Sequence, residues 1–148
     1  MKQISQMDKK IYSQGNSRFQ IEPFSKMVEK PWGYEIILTR PELKMTGKIL
    51  FIKTGGKLSL QYHEEKEESL CLFSGKAVIW LENSQGKIEK VPMELQKGYL
   101  ILPNQKHRIE AEEDSFIFEA STPEKGTTHR IEDDYQRGME TEEGRENR

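Results

Sequence analysis

Gly55-Gly56-Lys57-Leu58-Ser59-Leu60-Gln61-Tyr62-His63, followed by Glu68 and Gly75, is the stretch whose reading decides the fold. Side chains on a strand alternate between its two faces, so Gln61 and His63 project together while Leu58, Leu60 and Tyr62 project the other way. One face is apolar. The other offers an amide oxygen and an imidazole two residues apart, a spacing that lets both reach one ion. A turn brings the chain back, and Glu68 opens the next strand close enough to add a carboxylate. Farther on, Gly98-Tyr99-Leu100-Ile101-Leu102-Pro103-Asn104-Gln105-Lys106-His107 sets a second histidine at the start of a strand after a proline turn. Gln61, His63, Glu68 and His107 form an O/N/O/N set that suits a divalent ion: zinc first, with manganese, nickel or iron as alternatives.

Outward from this stretch, short runs rich in β-branched and aromatic residues alternate with turn residues. The runs Tyr34–Thr39, Lys48–Lys53, Lys57–His63, Ser69–Phe73, Lys76–Glu82, Lys87–Val91, Tyr99–Leu102, His107–Ala111 and Ser115–Ala120 read as strands. Gly55-Gly56, Ser74-Gly75, Asn83-Ser84-Gln85-Gly86, Pro103-Asn104 and Glu112-Glu113-Asp114 supply turn chemistry between them. Nine short strands without a sustained helical period predict an all-β sandwich or barrel. Residues 1–28 read as a peripheral N-terminal arm, in which Ile4, Met7 and Ile11 make a short helical stripe before Gly15 breaks it. Residues 29–137 form the barrel, and 138–148 a charged, solvated tail.

The chain has 148 residues, enough for one domain with a real core. It carries 23 basic and 25 acidic residues, without the basic excess of a nucleic-acid binder. The longest apolar runs fall far short of the ~20 residues of a membrane-spanning helix. No signal-like segment opens the chain, and one cysteine, Cys71, allows no internal disulfide. A cytoplasmic protein is expected.

The spacing of Gly55, Gln61, His63, Glu68 and Gly75 resembles the first motif of the cupins: glycine, five residues, ligand, one residue, histidine, four residues, glutamate, six residues, glycine. Gly98, Pro103 and His107 resemble a compressed second motif. The likeness extends to the cupin of type II phosphomannose isomerases, which is usually fused behind a mannose-1-phosphate guanylyltransferase. Pro31-Trp32-Gly33-Tyr34-Glu35 resembles that family's opening, Leu58–His63 its ligand strand, and Ser74-Gly75-Lys76-Ala77 its next hairpin. Arg130-Ile131-Glu132-Asp133-Asp134-Tyr135-Gln136-Arg137 resembles its closing motif. The sequence departs from the family at Glu64-Glu65, where a histidine-rich run is usual, at Ser69-Leu70 beside the acidic ligand, and at Gln136, where glycine is usual.

The resemblance implies a cupin β-barrel (a double-stranded β-helix, or jelly roll) that isomerises a sugar phosphate such as mannose 6-phosphate, and a homodimer. Aldose–ketose interconversion needs an ion to polarise adjacent oxygens and a base to carry a proton. Glu119 is the candidate base, and Arg137 the candidate for holding the phosphate through its planar fork. The more ordinary readings make Glu119 a strand-end carboxylate and Arg137 an exposed arginine. The alternative function is a non-catalytic regulatory cupin that binds a sugar or sugar nucleotide. An iron dioxygenase is disfavoured, because Gln61 replaces the first histidine of the usual iron set. Trp32 and Cys71 read as core, His129 as exposed, and Glu64, Glu65 and Glu67 as surface charge.

Overall fold

Period-two burial organises the chain into two antiparallel sheets. The computed structural model describes residues 19–146, so the stripe of Ile4, Met7 and Ile11 lies outside the described residues. The strands are β1 (Lys26–Lys30), β2 (Gly33–Ile37), β3 (Thr46–Ile52), β4 (Leu60–His63), β5 (Glu68–Ser74) and β6 (Ala77–Glu82). They continue as β7 (Ile88–Pro92), β8 (Gly98–Ile101), β9 (His107–Ala111), β10 (Ser115–Ser121) and β11 (Thr128–Glu132), followed by a five-residue helix, α1 (Glu142–Glu146). One sheet runs β1-β2-β3-β10-β5-β8 and the other β11-β4-β9-β6-β7. The fold is the cupin-type jelly-roll barrel.

All nine expected strands form. The inward positions of β3, β5, β6, β9 and β10 bury Leu50, Ile52, Leu70, Leu72, Ile79, Ile109 and Ile117, which build the core between the sheets together with Trp32 and Ile101. Gly75 turns the β5–β6 hairpin at φ +96°, and a Cβ there would run into the Asp114 carbonyl and Ser115. Only glycine fits that turn without displacement.

Several expectations are corrected. Strand β1 begins inside the stretch read as an arm, because Val28 pairs opposite Glu35 and places another inward position on the sheet. The polar segment β11 is a strand because β4 leaves an edge for it, with Thr128 opposite His63. Leu58 lies inside the barrel rather than on the opposite face from His63; the regular strand starts only at Leu60, so alternation does not extend back to it. The tail is not simply solvated: Thr128 and Glu140 exchange two backbone hydrogen bonds at 2.9 and 3.0 Å, and the Glu140 carboxylate meets Arg130 at 3.0 Å. Cys71 points outward and is half-buried, not core. His129 is half-buried as well, stacked on Tyr62 at 4.6 Å and paired with Glu64 at 3.3 Å.

Gln136 adopts φ +55°, the left-handed conformation that glycine takes without cost. The closing motif's usual glycine therefore has a backbone reason, and this chain bears the strain in its place.

Candidate metal centre

Three elements deliver the ligand atoms. His63 ends β4, Glu68 opens β5 and His107 opens β9, with Gln61 directly opposite His107 across the β4–β9 pairing. All three are buried, at 5%, 4% and 1% exposure. Glu68 Oε1 lies 3.1 Å from His107 Nε2 and 3.6 Å from His63 Nε2, and the three ligand atoms lie within 4.8 Å of one another.

The outer nitrogens fix what the inner ones can do. His107 Nδ1 lies 2.8 Å from the Gln105 carbonyl, which only accepts, so this nitrogen carries the proton. In the neutral ring Nε2 then holds a lone pair aimed at a carboxylate oxygen. His63 Nδ1 is bonded to Thr128 Oγ1 at 2.9 Å, and burial, with Lys66 adding to it, pushes the His63 imidazole down toward its neutral form. Neither Nε2 has a hydrogen-bond partner. Lone pairs facing one another in a dry interior repel unless a cation sits between them.

Ligand atoms ~2.0–2.1 Å from a tetrahedral ion stand about 3.4 Å apart, and the two Glu68 contacts of 3.1 and 3.6 Å bracket that spacing. The residues fit a divalent ion. Outer-nitrogen anchors of this kind orient ligating histidines in metal sites. Gln61 is half-buried on the cavity wall, and its Oε1 accepts a 2.8 Å hydrogen bond from Ser59 Oγ. An amide oxygen has a second lone pair, so that bond does not by itself remove it from the ligand set.

Around these ligands lies a charge network that sequence reading did not find. Lys66, 3% exposed, stands 3.1 Å from Glu68 Oε2, 3.0 Å from Glu119 Oε2 and 3.1 Å from Glu124 Oε1. Lys48 meets Glu124 at 2.7 Å and Glu35 at 3.6 Å. Burial opposes the charge on Glu68, but Lys66 outweighs it and holds the carboxyl well below its ordinary range. Burial, reinforced by Glu68, raises Glu119 above its ordinary range despite Lys66. Two adjacent carboxyls are thus pushed in opposite directions. The signal was available for part of this network: Lys48 occupies an inward phase shared with Leu50 and Ile52. Lys66 lies in a loop, where no alternation marks it.

The interior cavity holds about 60 Å³, room for an ion and a handful of waters. Glu119 lines it, with Ser121 Oγ donating to Glu119 Oε2 at 2.9 Å. Arg137 also reaches the cavity wall, but Asp133 already spans its fork, with Nε to Oδ2 at 2.9 Å and Nη2 to Oδ1 at 3.3 Å. The structure therefore gives Arg137 a bound carboxylate in the position expected for a substrate phosphate.

No family's sequence model matches the chain, and no curated protein matches it. Solved structures do. Oxalate decarboxylase from Bacillus subtilis superposes with a TM-score of 0.57 at 18% identity, over 70% of this chain and 28% of that one. The structure of KdgF from Halomonas sp. gives 0.56 at 17% identity, over 66% of this chain and 87% of that one. Oxalate decarboxylase from Lactobacillus farciminis, in complex with formate, gives 0.58 at 18% identity over 68% and 30%. This chain spans under a third of the length of the decarboxylases it resembles. At these identities the likeness supports the cupin fold. Mn(II) centres are named for the B. subtilis decarboxylase.

Proposed function

We propose that the protein is a divalent-metal-dependent isomerase that interconverts an aldose and a ketose, with a sugar phosphate of the mannose 6-phosphate type as substrate. The reading rests on one observation: two partnerless imidazole Nε2 atoms converge on Glu68, and a second buried carboxyl, Glu119, is joined to Glu68 through Lys66. Two imidazoles and a carboxylate leave positions open for substrate oxygens. Zinc is the first candidate, and the Mn(II) centres named for the decarboxylase support manganese as the next.

The bound ion supplies a Lewis acid that polarises a carbonyl and stabilises charge developing on its oxygen. His63, Glu68 and His107 hold it. Glu119 carries the proton between adjacent carbons, and its raised pKa brings it nearer the range in which a carboxyl both accepts and returns a proton at neutral pH. Lys66 keeps Glu68 ionised and orients both carboxyls. Trp32, Leu50 and Leu70 wall the cavity and exclude bulk water.

The test is conversion of mannose 6-phosphate to fructose 6-phosphate in deuterated water, with metal-loaded and chelated protein. Metal-dependent turnover with solvent deuterium entering the sugar is expected, and Glu119→Gln should lower the rate roughly 10²–10⁴-fold without changing metal content. One observation favours a non-catalytic sugar-binding cupin: Glu119 Oε2 is already held by both Lys66 and Ser121. Sugar binding without turnover on any aldose would establish that alternative.

The partner we propose is a second copy of this chain, docked on the outer face of the six-stranded sheet. The outward positions Gly47, Ile49 and Phe51, Ser69, Cys71 and Phe73, and Phe116, Phe118 and Ala120 carry no charge in a chain that is 32% charged. Phe73 is 67% exposed and Phe118 42%. An uncharged patch at the centre of the sheet matches itself across a two-fold axis. The three central strands β3, β10 and β5, at ~4.8 Å spacing and ~20 Å length, give a flat footprint of about 300 Å² before side-chain relief, which Tyr34, Ile36 and Leu100 on the flanking strands extend. Sedimentation should show a dimer that Phe118→Lys dissociates; a monomeric wild type at every concentration removes the proposal.

A further inference from the structure

The interior cavity is too small for a whole hexose phosphate, yet a second depression adjoins it. This groove encloses about 490 Å³, within the ~300–1,000 Å³ range of small-molecule sites. Lys48 and Glu124 line both spaces, and their 2.7 Å ion pair forms the partition between them. Phe24, Ile37, Pro41 and Pro123 give the groove apolar walls. Four bases, Lys26, Arg40, Lys48 and Arg145, face it against two acids, Glu124 and Glu142. A basic groove in a chain whose net charge is -2 is a local departure in sign.

The bases are not equivalent. Arg145 is committed to Glu124 at 3.3 Å and to Glu140 at 3.6 Å, and Lys48 to Glu124. Arg40 lies over the Phe24 ring at 5.2 Å and makes one long bond, 3.4 Å, to the Glu22 carbonyl. Among the described residues Arg40 forms no ion pair. A guanidinium stacked on an aromatic ring at the rim of an apolar-walled groove presents a planar fork suited to phosphate or carboxylate.

We infer that this groove binds the anionic end of the substrate, a phosphate or carboxylate anchored by Arg40, while the reacting end enters the interior cavity past the Lys48–Glu124 pair. The inference rests on the isomerase reading for the identity of the reacting end, and it moves the anion-holding role from Arg137, whose fork Asp133 occupies, to Arg40.

Calorimetry on metal-loaded protein tests it with three probes: mannose 6-phosphate, mannuronate and free mannose. The wild type is expected to bind at least one charged probe about tenfold or more tighter than mannose, and the phosphate and carboxylate arms identify which anion the groove prefers. Arg40→Gln should weaken the preferred charged probe by about tenfold to a hundredfold, as loss of a charge-assisted contact does, and leave mannose unchanged. Arg40→Lys should recover part of the loss. Equal binding of all three probes by the wild type, or unaltered binding of the charged probes by Arg40→Gln, overturns the groove assignment even if turnover is intact. Arg40-dependent anion binding in a protein that turns over no aldose upholds the groove and discards the isomerase.

Discussion

The same strands build two different ends of the barrel interior. Inward positions on β3 run Lys48, Leu50, Ile52; on β5 they run Glu68, Leu70, Leu72; on β10, read in reverse, they run Glu119, Ile117, Ser115. The register places Glu119 beside Lys48 on one side and beside Leu70 on the other, so the charged positions gather at one end and the aliphatic ones at the other. The aliphatic end gains ~1.5–3 kcal/mol for each large side chain it buries. The charged end gains nothing comparable, because desolvating an ion costs several kcal/mol that pairing only roughly recovers. A chain that keeps such an end against the local rule marks it as functional. The comparison separates what folds the protein from what it is for.

The sharpest way to break that division is to remove ligands. His63→Ala with His107→Ala should abolish stoichiometric metal binding, and with it the stabilisation that added ion gives the folded state, about 2.7 kcal/mol at a hundredfold excess over Kd. Metal analysis and thermal melts with and without chelator check this. Undiminished metal content in the double variant would detach the ion from this end altogether. In the ion-free protein, Lys66→Met leaves Glu68, Glu119 and Glu124 without their shared cation and should cost ~3–5 kcal/mol in urea unfolding. A neutral result would mean that the carboxylates are not held as ions.

At the aliphatic end Ile79→Val should cost only ~0.5–1.5 kcal/mol and leave metal binding untouched. Glu124 sharpens the contrast through pH. Burial opposes its charge, but Lys66 and Lys48 hold its carboxyl well below the ordinary range. A depressed folded-state pKa contributes stability above the unfolded carboxylate value of ~4.3, and that stability is lost as pH falls through the folded value. Glu124→Gln should therefore flatten the acid limb of the stability profile, read by urea midpoints below pH 5. The smallest effect lies outside both ends. Gln136→Gly should relieve strain at φ +55° and shift stability by under about 1 kcal/mol, since the gain is offset by glycine's greater freedom when unfolded.

Period-two alternation made nine strands legible, because each carries enough β-branched and aromatic residues to state its own phase. It did not reveal β11, whose Thr128 and Arg130 face polar surroundings supplied by strands distant in sequence. The spacing from Gly55 to Gly75 singled out His63 and Glu68, and a proline turn singled out His107. Lys66 and Glu124 escaped because both lie in loops, where direction is set by tertiary partners. Arg137 was legible as a residue near the cavity, but its engagement by Asp133, four positions earlier, depends on a turn that no periodicity announces.

The evenness of charge around the interior cavity has a consequence for the order of events. Lys30, Lys48, Lys66, Arg130 and Arg137 line it, against Glu35, Glu68, Glu119, Glu124 and Glu140. Five stand against five, so the ion-free chamber exerts little net pull on an anion. A divalent ion tips that balance by two units in a poorly screened space. A bound ion would then act on entry as well as on chemistry: a substrate held at the groove before the ion arrives would face an indifferent chamber, and one held there afterwards an attractive one. Rapid-mixing experiments should accordingly show a salt-sensitive encounter at the Arg40 groove with or without the ion, and slower dissociation of the anion in the loaded form.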